Sequence, residues 1–177
     1  GEVGGLTRVR GLTQDDAHHF MREDQMEDEI RGILDLAFHI YRTLGFQDFT
    51  LRLSLRGPKN KDKYIGSDKN WKASEEALRK ALKHLKLDFI EAEGEAAFYG
   101  PKIDLLVKDV FSREWQLGTI PQVDYNMPER FNLHYISEEG KKVRPIMMHR
   151  AIFGSFERFI GILIEQFGGL FPLWLAP

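Results

Sequence analysis

The sequence predicts an α+β fold, in which a mostly antiparallel β-sheet is flanked by helices. Several short segments with strand patterns follow one another through the middle of the chain, separated by short turns, and such successions favour antiparallel pairing. Helical periodicity appears in three longer segments. The alternation of strand and helix that marks a parallel sheet is absent. With 177 residues, 42% of them hydrophobic, the chain is expected to form one domain with a packed core.

The first third of the chain contains a loop, two strands and a helix. Three glycines in Gly1–Gly5 predict a loop. Arg8–Phe20 is interpreted as a strand, in which alternate side chains share one face. Asp24–Leu44 has apolar residues at helical spacing and is followed by Gly45, a typical helix end. Phe49–Leu55 alternates apolar and polar residues and predicts a half-buried strand.

The rest of the chain continues this pattern. Gly57–Lys63 predicts a basic loop, and Ser67 or Asp68 can cap a second helix that runs to about Leu85. Five further strands are predicted: Asp88–Ala92, Ile103–Asp109, Arg113–Thr119, Asn132–Ile136 and Val143–His149. A hairpin turn at Glu138–Lys141 separates the last two. A third helix contains Phe156 to Phe167 at its apolar positions and ends at Gly168 and Gly169.

Composition excludes several classes of function. The 25 basic and 27 acidic residues nearly cancel, so nucleic acid would have to be bound by local patches. Without cysteine the chain can form neither a disulfide nor a thiolate metal site. No apolar run is long enough to cross a bilayer, so we expect no membrane association. A cytoplasmic location, with which the lack of cysteine is compatible, is also expected.

An ordered set of polar side chains lies on one side of the first predicted strand. Because alternate residues of a strand share a face, this side would carry five polar residues in register, interrupted only by a leucine: Arg8, Arg10, Gln14, Asp16 and His18. Cations, an amide, a carboxylate and an imidazole together suit a pocket for a charged, polar substrate.

A metal site is one of two interpretations of the histidines. His18 and His19 point to opposite faces of a strand, so parity assigns His18 to the pocket, and His149 ends a later strand. This pair could hold zinc, although a catalytic zinc takes three protein ligands. Two ordinary histidines are the alternative, and no HExxH or CxxC motif is present.

Phosphate binding would have to rely on arginine, because the chain has neither GxxxxGK[ST] nor GxGxxG. Arg8, Arg10 and Arg158 are candidates, since a guanidinium matches phosphate oxygens in pairs. Arg158 could equally be a rim residue of an amphipathic helix. Tyr99 and Lys102 flank a Gly-Pro turn and could lie at the edge of the site, or the segment could be an ordinary turn beside core aromatics. Gly118, within the segment from Trp115 to Thr119, could allow a ligand to approach, or could have an ordinary core role.

Four of these segments, taken in order, closely resemble the catalytic domain of threonyl-tRNA synthetase, a class II aminoacyl-tRNA synthetase. They are RVRGLTQDDAH, FYGPKID, WQLGTI and HRAIFGSFERFIGILIE, and the resemblance covers essentially the whole chain. It implies a partial class II catalytic core over residues 1–177, from the motif 2 loop and second strand through motif 3. It also implies ATP-dependent formation of threonyl-adenylate, followed by transfer of threonine to tRNA(Thr).

The resemblance also implies roles for individual residues. Gln14, Lys102 and Arg158 would be catalytic, and threonine would contact Gln14, Asp16, Tyr99 and Gln116. ATP would contact Arg8, Lys102, Gln116, Thr119, Gln122 and Arg158. His18 and His149 match two of the family's three zinc ligands. ATP, Mg²⁺ and Zn²⁺ are the implied cofactors, and the whole enzyme is expected to be a homodimer.

The chain departs from the family pattern in four places. The third zinc ligand is a cysteine on an earlier segment, and neither is present here. The motif 2 arginine on the α-phosphate and the motif 1 dimer element are also missing. Pro121 interrupts the usual Gly-Thr-Ile-Gln, which would turn Gln122 to the other face unless a β-bulge absorbs the extra residue.

These departures predict a piece truncated at both ends that is weak or inactive alone, since a lost α-phosphate clamp is worth on the order of 3 kcal/mol. The alternative is a non-catalytic synthetase-like module that binds ATP, an amino acid or RNA. A zinc hydrolase is disfavoured, because no glutamate accompanies the histidine pair.

Overall fold

The structure, a computed structural model, describes residues 2–59 and 61–177; Gly1 and Asn60, which fall within two of the predicted loops, lie outside the described residues. Eight strands and four α-helices follow one another within these ranges. The strands are β1 (Ala17–Met21), β2 (Phe49–Leu55), β3 (Phe89–Glu93), β4 (Lys102–Lys108), β5 (Glu114–Asp124), β6 (Tyr135–Ile136), β7 (Lys142–Val143) and β8 (Ile146–Ala151). The helices are α1 (Met26–Thr43), α2 (Asp68–His84), α3 (Asn126–Arg130) and α4 (Phe156–Phe167). Short 3-10 helices cover Glu23–Gln25 and Lys61–Lys63.

Six strands form the main sheet in the order β1-β8-β5-β4-β2-β3. Every pair in it is antiparallel except β2 with β3. Strands β6 and β7 form a separate hairpin. The predicted α+β class with a mostly antiparallel sheet is therefore confirmed.

The two faces of the main sheet differ in chemistry. One face carries the apolar residues of alternating positions, such as Leu51, Leu53 and Ile103, which are fully or almost fully buried in one core with residues of α1, α2 and α4. The opposite face carries the intervening residues, among them Lys102 and Asp104. Because side chains of a strand alternate between faces, a helix-covered core on one side leaves a polar surface on the other.

Several predicted elements are confirmed with local reasons. Strand β2 has the predicted bounds. The Ser67 hydroxyl caps α2 by accepting a hydrogen bond from the Asn70 amide, and Ser155 caps α4 in the same way through Arg158. Helix α4 ends at Gly168 in the left-handed conformation, with φ of 58°.

The predicted strand Arg8–Phe20 is wrong over Arg8–Asp16. Only Ala17–Met21 forms a strand, because the partner β8 ends at Ala151 and Ala17 lies opposite Arg150. Upstream of that point the chain makes single bridges, such as that between Gln14 and Ser155. Pairing therefore ends where the neighbouring strand turns into α4.

Most other boundaries differ from the prediction by one or two residues, and three strands differ more. The predicted strand Val143–His149 divides into β7 and β8 on either side of Pro145, which has no amide hydrogen for a ladder. The predicted strand Asn132–Ile136 begins only at Tyr135, after Asn132 takes a positive φ of 48°. Strand β5 continues to Asp124, and the short helix α3 was not predicted.

Candidate active site

One row of residues across four strands assembles the centre of the predicted site. His18 of β1 lies opposite His149 of β8, His149 lies opposite Gln122 of β5, and Gln122 lies opposite Lys102 of β4. Residues that face each other in antiparallel strands project to the same side of the sheet. Four side chains that are far apart in sequence thus share the polar face.

A second row runs beside the first and shows how Pro121 is accommodated. Thr119 of β5 lies opposite Asp104 of β4, which lies opposite Arg52 of β2. Between Thr119 and Gln122 the strand β5 advances three residues, while its neighbours advance two, Asp104 to Lys102 and Ala151 to His149. A β-bulge therefore absorbs one extra residue and returns Gln122 to the polar face.

Three potential metal donors meet at the β1 end of the first row. Asp16, His18 and His149 each place a ligand atom within 4.8 Å of the other two. The His18 Nε2 atom is 3.8 Å from an Asp16 carboxylate oxygen, and the two imidazole centroids are 4.8 Å apart. Two imidazoles with a carboxylate form a donor set that zinc accepts.

His149 is held in place by groups behind it. Its Nε2 atom is 2.9 Å from the Oδ2 atom of Asp124, whose side chain is fully buried. The Tyr99 ring packs edge-on against the imidazole, with centroids 5.3 Å apart. Burial raises the pKa of the Tyr99 hydroxyl, and the nearby carboxylates of Asp124 and Asp16 add to the rise, so this phenol stays a neutral donor at physiological pH.

Asp104 is the centre of a buried hydrogen-bond network on the second row. Its side chain is fully buried, and five side chains donate to its two oxygens. The Lys102 ammonium lies 2.6 and 2.8 Å from the two oxygens. The other donors are Arg52 at 3.1 Å, Ser54 at 2.7 Å, Gln116 at 2.7 Å and Thr119 at 3.2 Å. Three predicted substrate contacts therefore depend on one carboxylate.

The charges of this network do not balance. Asp104 supplies one negative charge, whereas Arg52 and Lys102 supply two positive charges, with side chains only 18% and 13% exposed. The side-chain Oε1 atom of Gln116 also accepts a hydrogen bond from Arg52 at 3.2 Å. A surplus cation in a largely desolvated network favours an anionic ligand beside it.

Arg158 of α4 connects three parts of the site. Its Nε donates to the carbonyl oxygen of Thr7 at 2.9 Å, and its Nη1 donates to the carbonyl oxygen of Gln116 at 3.1 Å. The guanidinium lies over the Trp115 ring, 5.4 Å from the centroid. Burial lowers its pKa, and the nearby charge of Arg8 lowers it further. Two neighbouring arginines that repel each other are suited to an anion that both can contact.

The N-terminal segment is placed by contacts with the β8–α4 connection. The Asp15 carboxylate accepts hydrogen bonds from the backbone amides of Ile152 at 2.8 Å and Phe153 at 3.0 Å. Gln14, next to it, forms its bridge with Ser155. Both Gln14 and Arg10 are exposed, and among residues 2–59 and 61–177 the structure brings Gln14, but not Arg10, to a contact with another site element.

Two glycines explain how closely the strands and this connection approach. A Cβ on Gly154, where φ is +64°, would collide with the carbonyl oxygen of Leu117. A Cβ on Gly118 would lie 2.7 Å from the carbonyl oxygen of Ile152. The close neighbour of Gly118 is therefore backbone, which supports the ordinary structural role rather than approach by a ligand.

Three residues of the candidate site were not predicted from the sequence: Asp104, Asp124 and Arg52. Arg52 and Asp104 lie in predicted strands, and period-2 alternation from Lys102 would have put Asp104 on the polar face. Asp124 lies beyond the predicted end of its strand at Thr119. The partners of Asp124 and Arg52 come from other strands, so no local pattern reveals them. The cavity of about 940 Å³ between the end of β1 and the β6–β7 hairpin includes none of the predicted site residues.

Comparison with known proteins identifies the family. The family model of the tRNA synthetase class II core domain (G, H, P, S and T) matches residues 2–167. The chain belongs to this class II tRNA synthetase core family. The sequence-based resemblance is thereby confirmed, and the family is one of aminoacyl-tRNA synthetases.

Relatives within the class II synthetases point to threonine enzymes. The chain is 55% identical over 177 residues to a threonine--tRNA ligase of Synechocystis sp. and 55% identical over the same length to one of Cytophaga hutchinsonii. It is also similar to the crystal structure of the RNA-binding domain of threonyl-tRNA synthetase from Cryptosporidium parvum, with 43% identity and a TM-score of 0.90 over 98% of this chain and 42% of that one.

The match covers the whole of this chain but a minor part of each relative. The chain spans 29% of the Synechocystis ligase and 27% of the Cytophaga ligase. Within residues 2–59 and 61–177, no helix is long and apolar enough to cross a bilayer.

Proposed function

We propose that this chain forms the amino-acid-activation pocket of a threonine--tRNA ligase and corresponds to part of its class II catalytic domain over residues 1–177. The observation that carries the proposal is the shared row from His18 through His149 and Gln122 to Lys102. This row joins a metal-donor cluster to a cationic network, and the relatives that share the sequence are threonine--tRNA ligases.

The proposed reaction has two steps. The threonine carboxylate attacks the α-phosphorus of ATP, and pyrophosphate leaves to give threonyl-adenylate. The threonyl group then passes to the terminal adenosine of tRNA(Thr). The surplus cation of the Asp104 network would face the α-phosphate through Lys102, and Arg158 with Arg8 would bind the γ-phosphate. Gln116, Thr119 and Gln122 would border the adenosine and the amino acid.

The amino-acid end of the pocket would be the metal-donor cluster. His18 and His149 would hold zinc, which supplies a Lewis acid able to coordinate the amino and hydroxyl groups of threonine. Such a requirement for a hydroxyl rejects valine, which shape alone rejects poorly. Asp16 would accept a hydrogen bond from the threonine amino group, and Gln14 and Tyr99 would contact other polar atoms of threonine. Magnesium would arrive with the ATP phosphates.

The donor set of this chain fits zinc without the cysteine of the family pattern. With Asp16 as a third protein donor, the cluster reaches the three ligands of a catalytic zinc site. Zinc content measured with and without threonine tests whether this carboxylate is shared between metal and substrate. We further propose that the whole ligase is a cytoplasmic homodimer.

Threonine-dependent exchange between ATP and pyrophosphate tests the proposed function. The whole ligase that contains this chain should exchange with threonine and not with valine, and its Lys102→Met variant should lose at least about 100-fold, as expected when charge stabilisation is removed. The isolated chain should exchange weakly. Binding of a sulfamoyl analogue of threonyl-adenylate without exchange by the whole ligase would favour the non-catalytic alternative and refute the proposal.

A further inference from the structure

We infer that Asp124 is a positioning residue that selects the tautomer of His149 and directs its Nδ1 atom toward the amino-acid pocket. This inference rests on the proposed zinc site and adds a residue to it. It starts from a carboxylate with 0% side-chain exposure whose oxygens are all occupied by protein donors.

The two carboxylate oxygens of Asp124 contact different groups. Oδ1 accepts from the backbone amides of Asn126 at 2.7 Å and Met127 at 3.0 Å, which fixes the first turn of α3. Oδ2 lies 2.9 Å from Nε2 of His149. Because Oδ1 is engaged by two amides, the carboxylate cannot rotate away from the imidazole without losing both of these bonds.

The chemistry of the pair determines which ring nitrogen is left for a ligand. A carboxylate only accepts hydrogen bonds, so Nε2 must carry the hydrogen and Nδ1 must keep its lone pair. His149 lies opposite His18 in the β1–β8 ladder and within the same donor cluster. The remaining lone pair is therefore the one available beside His18 and Asp16.

The surroundings make this selection firm. The His149 side chain is 11% exposed, so water competes little for Nε2. The Tyr99 ring lies 5.3 Å away and limits rotation of the imidazole.

The Asp124→Asn variant isolates this role, because it keeps the shape of the side chain. The new side-chain amide has two possible orientations. If its oxygen faces α3, its NH₂ group donates to Nε2, which moves the ring hydrogen to Nδ1 and blocks the metal position. If it is flipped, its NH₂ group lies against the two backbone amides of α3, which are also donors. We expect a zinc dissociation constant about 10- to 100-fold higher than that of the unmodified chain, the usual effect of losing a carboxylate behind a ligating histidine.

Two controls separate positioning from folding. Asn126→Ala disturbs the same turn without touching His149 and should leave zinc affinity within about threefold. Glu27→Gln alters a carboxylate–histidine pair elsewhere, where Glu27 lies 2.8 Å from Nδ1 of His84, and should likewise leave zinc affinity unchanged.

The measurements are zinc titration against a chromophoric chelator and ¹⁵N NMR of the histidine rings in the metal-free chain. We expect His149 to show the Nε2–H tautomer in the unmodified chain and the Nδ1–H tautomer in Asp124→Asn. The NMR result stands even if the variant folds poorly, because an Nδ1–H tautomer in the unmodified chain overturns the inference. Zinc affinity unchanged in a folded Asp124→Asn also overturns it. An unmodified chain that shows the Nε2–H tautomer but binds no zinc would instead refute the proposed metal site together with the ligand role of Nδ1.

Discussion

Replacing Asp104 with asparagine should destabilise the fold far more than the loss of one surface charge would. The carboxylate has no exposed side-chain area, and Arg52 and Lys102 are its cationic partners, at 3.1 and 2.6 Å. Removing one member of a buried ion pair leaves uncompensated charge and costs about 3 to 5 kcal/mol. Because both cations keep some contact with solvent, we expect about 3 kcal/mol.

The hydrogen-bond geometry supports this magnitude. Asparagine keeps one acceptor oxygen, so either Gln116 and Thr119 or Arg52 and Ser54 would face an amide nitrogen that is itself a donor. An unsatisfied buried donor costs about 1 to 3 kcal/mol. The loss therefore cannot be relieved by a flip of the new amide, since each orientation leaves one set of donors without an acceptor.

Urea unfolding of the variant measures this effect, with the dependence on denaturant concentration checked for an unchanged slope. Adding Lys102→Met to Asp104→Asn should restore about 1 kcal/mol or more of unfolding free energy as a coupling between the two sites, because it removes a cation that has lost its carboxylate partner. Glu91→Gln is the matched control: it breaks the more exposed pair with Arg79 and should cost less than about 1 kcal/mol. If Asp104→Asn cost no more than Glu91→Gln, the network would not be the electrostatic centre that we describe.

Three further predictions concern acid stability, packing and ligand binding. Burial acts to raise the pKa of Asp109, but its hydrogen bonds lower that pKa to about 2 from 3.8. The ionised carboxylate therefore stabilises the fold fully above pH 3.8, and this stabilisation is lost as the pH falls toward 2. In urea titrations at several pH values, Asp109→Asn should make the unfolding free energy fall less steeply over that interval. Gly154→Ala should destabilise the chain by several kcal/mol more than Gly140→Ala in thermal unfolding, since both have positive φ but only Gly154 lacks room for a Cβ; equal losses would show that backbone strain alone matters. Arg158→Lys should weaken ATP binding by about 2 kcal/mol in calorimetry, because lysine cannot make both carbonyl contacts and bind phosphate, whereas Arg42→Lys on α1 should leave it unchanged.

Periodicity predicted the elements whose boundaries are set locally. Strand β2 and helices α2 and α4 are confirmed because the alternation of the strand and the capping residues of the helices lie within or next to each element. The strand predicted over Arg8–Phe20 is wrong from Arg8 to Asp16 because the end of a strand depends on the length of its partner. That partner, β8, lies more than a hundred residues later in the chain.

The candidate site was predictable to the extent that a resemblance carried residue roles. Parity predicted that His18 shares a face with Asp16, and the structure places both close to His149 as potential metal donors. No pattern indicated that Asp124 backs His149 or that Arg52 joins Asp104, because these contacts form only when the strands align. The position of Gln122 depended on whether a bulge would form, and pairing on both sides of β5 determines that.

The most direct test of the central claim is calorimetric titration of threonine onto the chain with and without zinc, with valine as the competitor that lacks the hydroxyl. We expect threonine to bind the zinc-loaded chain, to bind at least about tenfold more weakly once zinc is removed, and to outcompete valine only in the loaded form. Equal affinities for threonine and valine, or threonine binding that zinc does not change, would contradict the assignment of His18, His149 and Asp16 to amino-acid selection.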